Sequence, residues 1–161
     1  MSAIAISPAG EFRRVNAFGQ IDLRIVAPAT EGEMAVWETI VPPEAGPPLH
    51  IHAREDETFY VLAGLFQVWV GDRTLLAAPG ATMFLPRGIA HTFRNIGKTD
   101  GRILCMATPG GFEEFFMEVE RTGITDPTGL DVIAARYGLT FIKDAVLPMS
   151  SPIDYGDQLS A

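Results

Sequence analysis

Cysteine, histidine and positive charge are all scarce in this chain, and each scarcity removes a class of function. The single cysteine, Cys105, has no partner for an internal disulfide, and its place in the apolar run RILCMA marks it as a small buried hydrophobe, not a reactive thiol. Twelve Lys and Arg stand against twenty Asp and Glu among 161 residues, for a formal net charge of -8. The few basic residues are scattered, so there is no cationic stripe to displace counterions from a phosphate backbone, and nucleic acid is not expected as a partner. No uncharged apolar run approaches the ~18 residues of a membrane span, and MSAIAISPAGEFRRV has no basic region ahead of a long apolar stretch. A soluble cytoplasmic protein without a membrane partner is expected. Repeats, low-complexity segments and sharp shifts of composition are absent too, so one domain suffices.

What the chain does have is 47% apolar residues, 16 glycines and 12 prolines, a composition of many turns and short strands that points to an all-β class. Short apolar runs broken by Gly, Pro and Asp follow one another: QIDLRIVA, MAVWETIV, ETFYVLAG, FQVWVG, TMFLP and RILCMA. Strands at this spacing make a sandwich or a small barrel, with the barrel core over about 19–107. The pattern then becomes helical over about 111–138. Phe112, Phe115, Phe116 and Val119 fall on one stripe, as do Leu130, Ile133, Ala134 and Tyr137. Asp126 and Pro127 supply start signals for the second helix, and Gly138 stands where a helix often ends in the left-handed conformation. Both stripes are expected to pack on the outside of the barrel, the alternative for the first helix being a lid over the barrel mouth. LTFI reads as one more short strand, and about 148–161 as a tail or an arm onto a partner.

The three histidines are not spread at random. His50 and His52 are two apart, so on a strand their imidazoles leave the same face and can converge on one ion. Glu57 lies an odd number of residues beyond His52 and cannot join them on a continuous strand. A reversal at AREDE resolves this, with ETFYVLAG returning antiparallel and Glu57, Phe59 and Val61 directed to one face. Asp56 is the fallback ligand if the register shifts by one, and Glu55 reads as a solvated turn residue. His91 follows a turn made by Pro86 and Gly88. Three imidazoles and a carboxylate suit one divalent Fe, Mn, Ni, Cu or Zn better than an all-oxygen ion such as calcium, and octahedral geometry would leave two adjacent positions open.

These residues resemble the cupin motifs. The first motif, a glycine, then HxH, a glutamate and a second glycine, is matched by Gly46 on a shortened spacing, His50, His52, Glu57 and Gly64. The second, a glycine, PxG, a histidine and an asparagine, is met in full by Gly80, Pro86, Gly88, His91 and Asn95. The resemblance implies a jelly-roll barrel, the double-stranded β-helix of cupins, with short C-terminal helices. It implies one divalent transition metal held by His50, His52, Glu57 and His91, and a homodimer as the assembly.

HIHAREDETFYVLAG and TPGGFEEFF further resemble small quercetin dioxygenase-like cupins. A metal-dependent dioxygenase is therefore expected, acting on a small flavonol-, catechol- or diketone-like compound, with Glu57 as the catalytic base. Phe59, Val61 and Phe93 share the ligands' strand parity and are expected to wall the substrate pocket. Gln67 and Trp37 are further candidates whose register the sequence leaves open. The alternatives are a non-redox isomerase, cyclase or lyase using the metal as a Lewis acid on a carbonyl or carboxylate compound, and a non-catalytic binding cupin. TPGGFEE is rejected as a phosphate loop because Glu113 and Glu114 would repel an anion at that helix start.

Overall fold

The structure is a computed structural model that describes residues 3–144 and 147. The tail expected at about 148–161 lies outside the described residues. Ten strands precede the helices: β1 (Arg13–Asn16), β2 (Gln20–Ile25), β3 (Ala35–Val41), β4 (His50–His52), β5 (Asp56–Ala63), β6 (Phe66–Val70), β7 (Arg73–Ala77), β8 (Thr82–Leu85), β9 (His91–Asn95) and β10 (Gly101–Thr108). Helices α1 (Glu113–Thr122) and α2 (Pro127–Arg136) and strand β11 (Leu139–Phe141) complete the described chain. Strands thus begin at Arg13, ahead of the residue near 19 where the hydrophobic pattern starts the barrel.

Two antiparallel sheets face each other. One has six strands in the order β1-β2-β3-β10-β5-β8, the other five in the order β11-β4-β9-β6-β7. From β3 onward the chain crosses repeatedly between them, which is the jelly-roll arrangement. The reversal after β4 is therefore not a hairpin: β4 and β5 lie in different sheets, with β4 beside β9 and β5 between β10 and β8. A three-residue connection placed between two sheets, not within one, sets His52 and Glu57 across the barrel from each other.

Alternation along the strands fills the space between the sheets. In β5, Glu57, Phe59 and Val61 are buried while the residues between them are more exposed. Phe59, Val61, Phe66, Val68, Leu85, Phe93 and Ile103 belong to one continuous core. Burying side chains of this size stabilises the fold by about 1.5–3 kcal/mol each. The helices follow their sequence signals. The Asp126 carboxylate accepts the Gly129 N–H at 2.9 Å to cap α2, Pro127 occupies its first turn, and Gly138 just past its end has φ 72°. No helix among the described residues is long and apolar enough to cross a membrane.

Glu113, fully buried, explains the TPGG segment. Its carboxylate accepts the Ala27 N–H at 2.6 Å and the Gly111 N–H at 2.8 Å, so it puts a negative charge against the segment's own backbone and ties α1 to the barrel.

Candidate metal centre

On β4, Ile51 faces outward and His50 and His52 face the barrel interior, where both are buried. His50 and His91 are register partners on β4 and β9, and their rings lie 4.5 Å apart. Glu57 reaches in from the opposite sheet, with Oε2 3.0 Å from His91 Nε2 and 3.5 Å from His52 Nε2. The donor atoms of His50, His52, Glu57 and His91 all lie within 4.8 Å of one another.

The lead-in to β4 depends on two motif residues. A Cβ on Gly46 would sit 1.8 Å from the Phe93 carbonyl oxygen, so only glycine lets this loop lie against β9. Asn95, fully buried, donates through Nδ2 to the carbonyls of Val41 and Thr99 at 2.8 Å each and accepts the Gly97 N–H at 2.9 Å. Thr92 donates to the Pro47 carbonyl at 2.6 Å. These bonds zip the loop onto β9 and thereby set His50 beside His91.

The donor set fits a divalent transition metal on three physical grounds. His50 Nδ1 lies 2.7 Å from the Pro48 carbonyl and His91 Nδ1 3.0 Å from the Ile89 carbonyl; a carbonyl only accepts, so both Nδ1 atoms carry a proton and Nε2 is the atom turned to the centre. His91 Nε2 and Glu57 Oε2 face each other at 3.0 Å, two ligand atoms converging on one point. His52 is buried with no hydrogen-bond partner on either ring nitrogen among the described residues, and a buried polar atom left so costs about 1–3 kcal/mol. Finally, burial, with His91 and His52 alongside, pushes the His50 imidazolium pKa down to about 3, so His50 stands in the neutral form that ligates. For Glu57, burial alone would raise the carboxyl pKa, but His52 and His91 outweigh it and hold the group below its ordinary value, as a carboxylate.

The neighbouring acids take other places. Asp56 points outward, where its carboxylate accepts from the Arg87 backbone N–H at 2.8 Å and from the guanidinium at 3.1 and 2.8 Å, bonds that lower its pKa. It is not available as a ligand. Glu55 is not a solvated turn residue: it is 4% exposed, and its Oε2 faces His52 Nδ1 at 3.5 Å.

A cavity of about 670 Å³ opens from the cluster, with His50, His52 and Glu57 in its wall. Its lining is mostly apolar and aromatic, including Trp37, Phe59, Phe93, Phe112, Phe115 and Phe116. Phe59 and Phe93 thus meet the cavity. Val61 does not line it, because Val61 lies two residues further along β5 than Phe59, about 7 Å deeper in the barrel core. Gln67 is absent from the lining as well. The helices do more than pack on the outside: Phe112 lies 4.3 Å from the His52 ring, and α1 with Leu130 of α2 closes the cavity over the site. The stripe of Phe112, Phe115 and Phe116 is visible in the sequence as an apolar face, but nothing in its spacing tells what that face covers. Phe18, which lines the cavity from the β1–β2 turn and stacks on Phe115 at 5.9 Å, carries no sequence signal of this role. Cys105 also touches the cavity, but burial raises its thiol pKa well above the ordinary value, so it is held as an unreactive thiol.

Residues 36–107 match the family model described as a cupin domain. Protein SchB of Streptomyces halstedii is 30% identical over 106 residues, an alignment covering 65% of this chain and 75% of that protein. This chain is a cupin. Solved structures agree on the fold: KdgF from Halomonas sp. superposes with a TM-score of 0.57 at 17% identity, covering 70% of this cupin and 99% of that chain. The polyketide cyclase RemF from Streptomyces resistomycificus gives a TM-score of 0.53 at 23% identity, covering 67% and 79%. At such identities the likeness is one of fold alone.

Proposed function

We propose that this cupin is a metal-dependent dioxygenase acting on a flat, largely apolar aromatic compound that carries an enol or phenol oxygen. The observation behind this reading is that His50, His52 and Glu57, clustered with His91, sit in the wall of an aromatic-lined cavity of about 670 Å³, within the ~300–1,000 Å³ range of small-molecule sites. Trp37, Phe59, Phe93, Phe112 and Phe116 would hold the ring system by stacking and exclude water. Glu57, a buried carboxylate at the inner end, would take the proton from the substrate hydroxyl on Oε2. A bound redox-capable divalent metal would supply a template for the substrate oxygen and a path for electrons to dioxygen.

A second reading, non-redox cyclisation with the metal as Lewis acid, is favoured by the fold likeness to RemF, which is described as a polyketide cyclase. Either chemistry would run in a homodimer in the cytoplasm; a monomer in light scattering at working concentration would overturn the dimer. Oxygen uptake separates the chemistries. With protein loaded with Fe(II), Ni(II) or Mn(II) and a panel of flavonols, catechols and β-diketones, dioxygenation requires uptake that Glu57→Gln abolishes. Turnover without uptake would move the assignment to the cyclase class. Binding without turnover under any metal would leave a binding cupin.

A further inference from the structure

Each imidazole of the cluster can offer one nitrogen to the centre only if the other is held, because the partner of the second nitrogen sets tautomer and ring orientation. For His50 and His91 the backbone does this. Each donates Nδ1–H to the carbonyl two residues before it, Pro48 at 2.7 Å and Ile89 at 3.0 Å. His52 has no such carbonyl partner among the described residues. Instead its Nδ1 faces Glu55 Oε2 at 3.5 Å, and both atoms are buried and, among the described residues, otherwise unpaired. One can donate and the other accept, and a closure of roughly half an ångström brings them to an ordinary hydrogen bond.

We infer that Glu55 is the positioning residue of His52. Its carboxylate accepts the Nδ1–H, keeps His52 in the tautomer whose Nε2 points at Glu57, and stops the ring from turning away. The two adjacent acids of the β4–β5 turn thus divide the work: Glu57 faces the centre, and Glu55 faces the back of the ring that completes it. The assignment also makes the three imidazoles unequal. His50 and His91 lean on neutral carbonyls, whereas His52 leans on a carboxylate. This inference rests on the proposed metal centre for its consequence, but not for its geometry, since the pairing exists in the chain alone.

The test is long-range 1H–15N correlation of the imidazole rings in metal-free, 15N-labelled protein. The three ring systems are assigned with His50→Gln, His52→Gln and His91→Gln. His52 is expected as the Nδ1–H tautomer in the wild type and as a mixture of tautomers in Glu55→Ala, with His50 and His91 unmoved. Zinc affinity, read by competition with a chelator, should fall about 10- to 100-fold in Glu55→Ala. Glu55→Gln, whose amide oxygen still accepts, should restore the tautomer and part of the affinity. A wild-type His52 protonated on Nε2, or a Glu55→Ala protein with unchanged tautomer and unchanged zinc affinity, would overturn the assignment. If Glu55→Ala does not fold, Glu55→Gln decides: affinity equal to wild type overturns it, and a partial loss with tautomer kept supports it. A tautomer that follows Glu55 in a protein that binds no zinc would leave the positioning role standing and remove the metal centre.

Discussion

Glu55, Asp56 and Glu57 are consecutive carboxylates with three different fates, and the differences come from geometry, not from residue type. Strand parity turns Glu57 inward and Asp56 outward to Arg87, and this much is legible in the alternation of β5. The place of Glu55 is not, because a polar turn looks solvated in sequence whether or not a ring from the preceding strand covers it. The two neighbours should therefore separate cleanly on mutation. Glu57→Gln is expected to weaken metal binding and abolish turnover, since the amide can still coordinate but no longer takes a proton. Asp56→Asn should leave metal stoichiometry and turnover at wild-type levels, with at most a small drop in melting temperature, because a partly exposed ion pair is screened by water. Metal analysis and steady-state rates on both variants check this.

At the scale of elements, the positions of strands and helices follow from periodicity, while their partners do not. Parity along β4 and β5 is local and was readable. That β5 crosses to the facing sheet is a long-range fact, which a reversal at AREDE with an antiparallel return does not contain. The same holds for α1, whose stripe specified an apolar face without naming the cavity it closes. Gly46 illustrates a motif residue whose reason appears only in three dimensions: the Phe93 carbonyl occupies the space of a Cβ. Gly46→Ala should cost about 2–3 kcal/mol in denaturant unfolding, through forced backbone displacement, and lower metal affinity as His50 leaves His91. Phe116→Ala makes the opposite kind of change. Phe116 is only half-buried and meets Trp37 edge-on at 5.6 Å and Phe112 at 5.1 Å, so its loss should cost less in folding than that of a fully buried phenylalanine. Binding of a flavonol, followed by fluorescence, should weaken about fivefold, the scale of one aromatic contact of ~1 kcal/mol.

For the whole molecule, an acidic balance is kept compatible with folding by pairing the carboxylates that are buried. On the six-stranded sheet, Arg14 holds Asp22 at 2.8 and 3.0 Å, and Glu38 accepts from Arg102 at 2.6 Å and Arg24 at 3.2 Å. The Arg14 hydrogen bond lowers the pKa of Asp22, and the Arg102 hydrogen bond, against the effect of burial, lowers that of Glu38. A carboxyl pKa depressed in the folded state gives stability that is fully present above the unfolded value and is lost as pH falls through the folded one. The melting temperature of metal-free protein should therefore carry the full contribution of these pairs above about pH 5 and lose it progressively below about pH 4. Glu38→Gln should melt lower at neutral pH and show a shallower acid decline, in calorimetry at constant ionic strength.

Residue, element and molecule meet in one site: His50, His52, Glu57 and His91 form a single metal site at the edge of an aromatic cavity. Metal content of freshly purified protein, compared with the triple variant His50→Ala, His52→Ala, His91→Ala after a circular dichroism check that both are folded, tests it most directly. One divalent transition metal per wild-type chain and none in the variant is the expected result. Stoichiometric metal in the folded variant, or a wild type that binds none of Fe(II), Mn(II), Ni(II), Cu(II) or Zn(II), would contradict it.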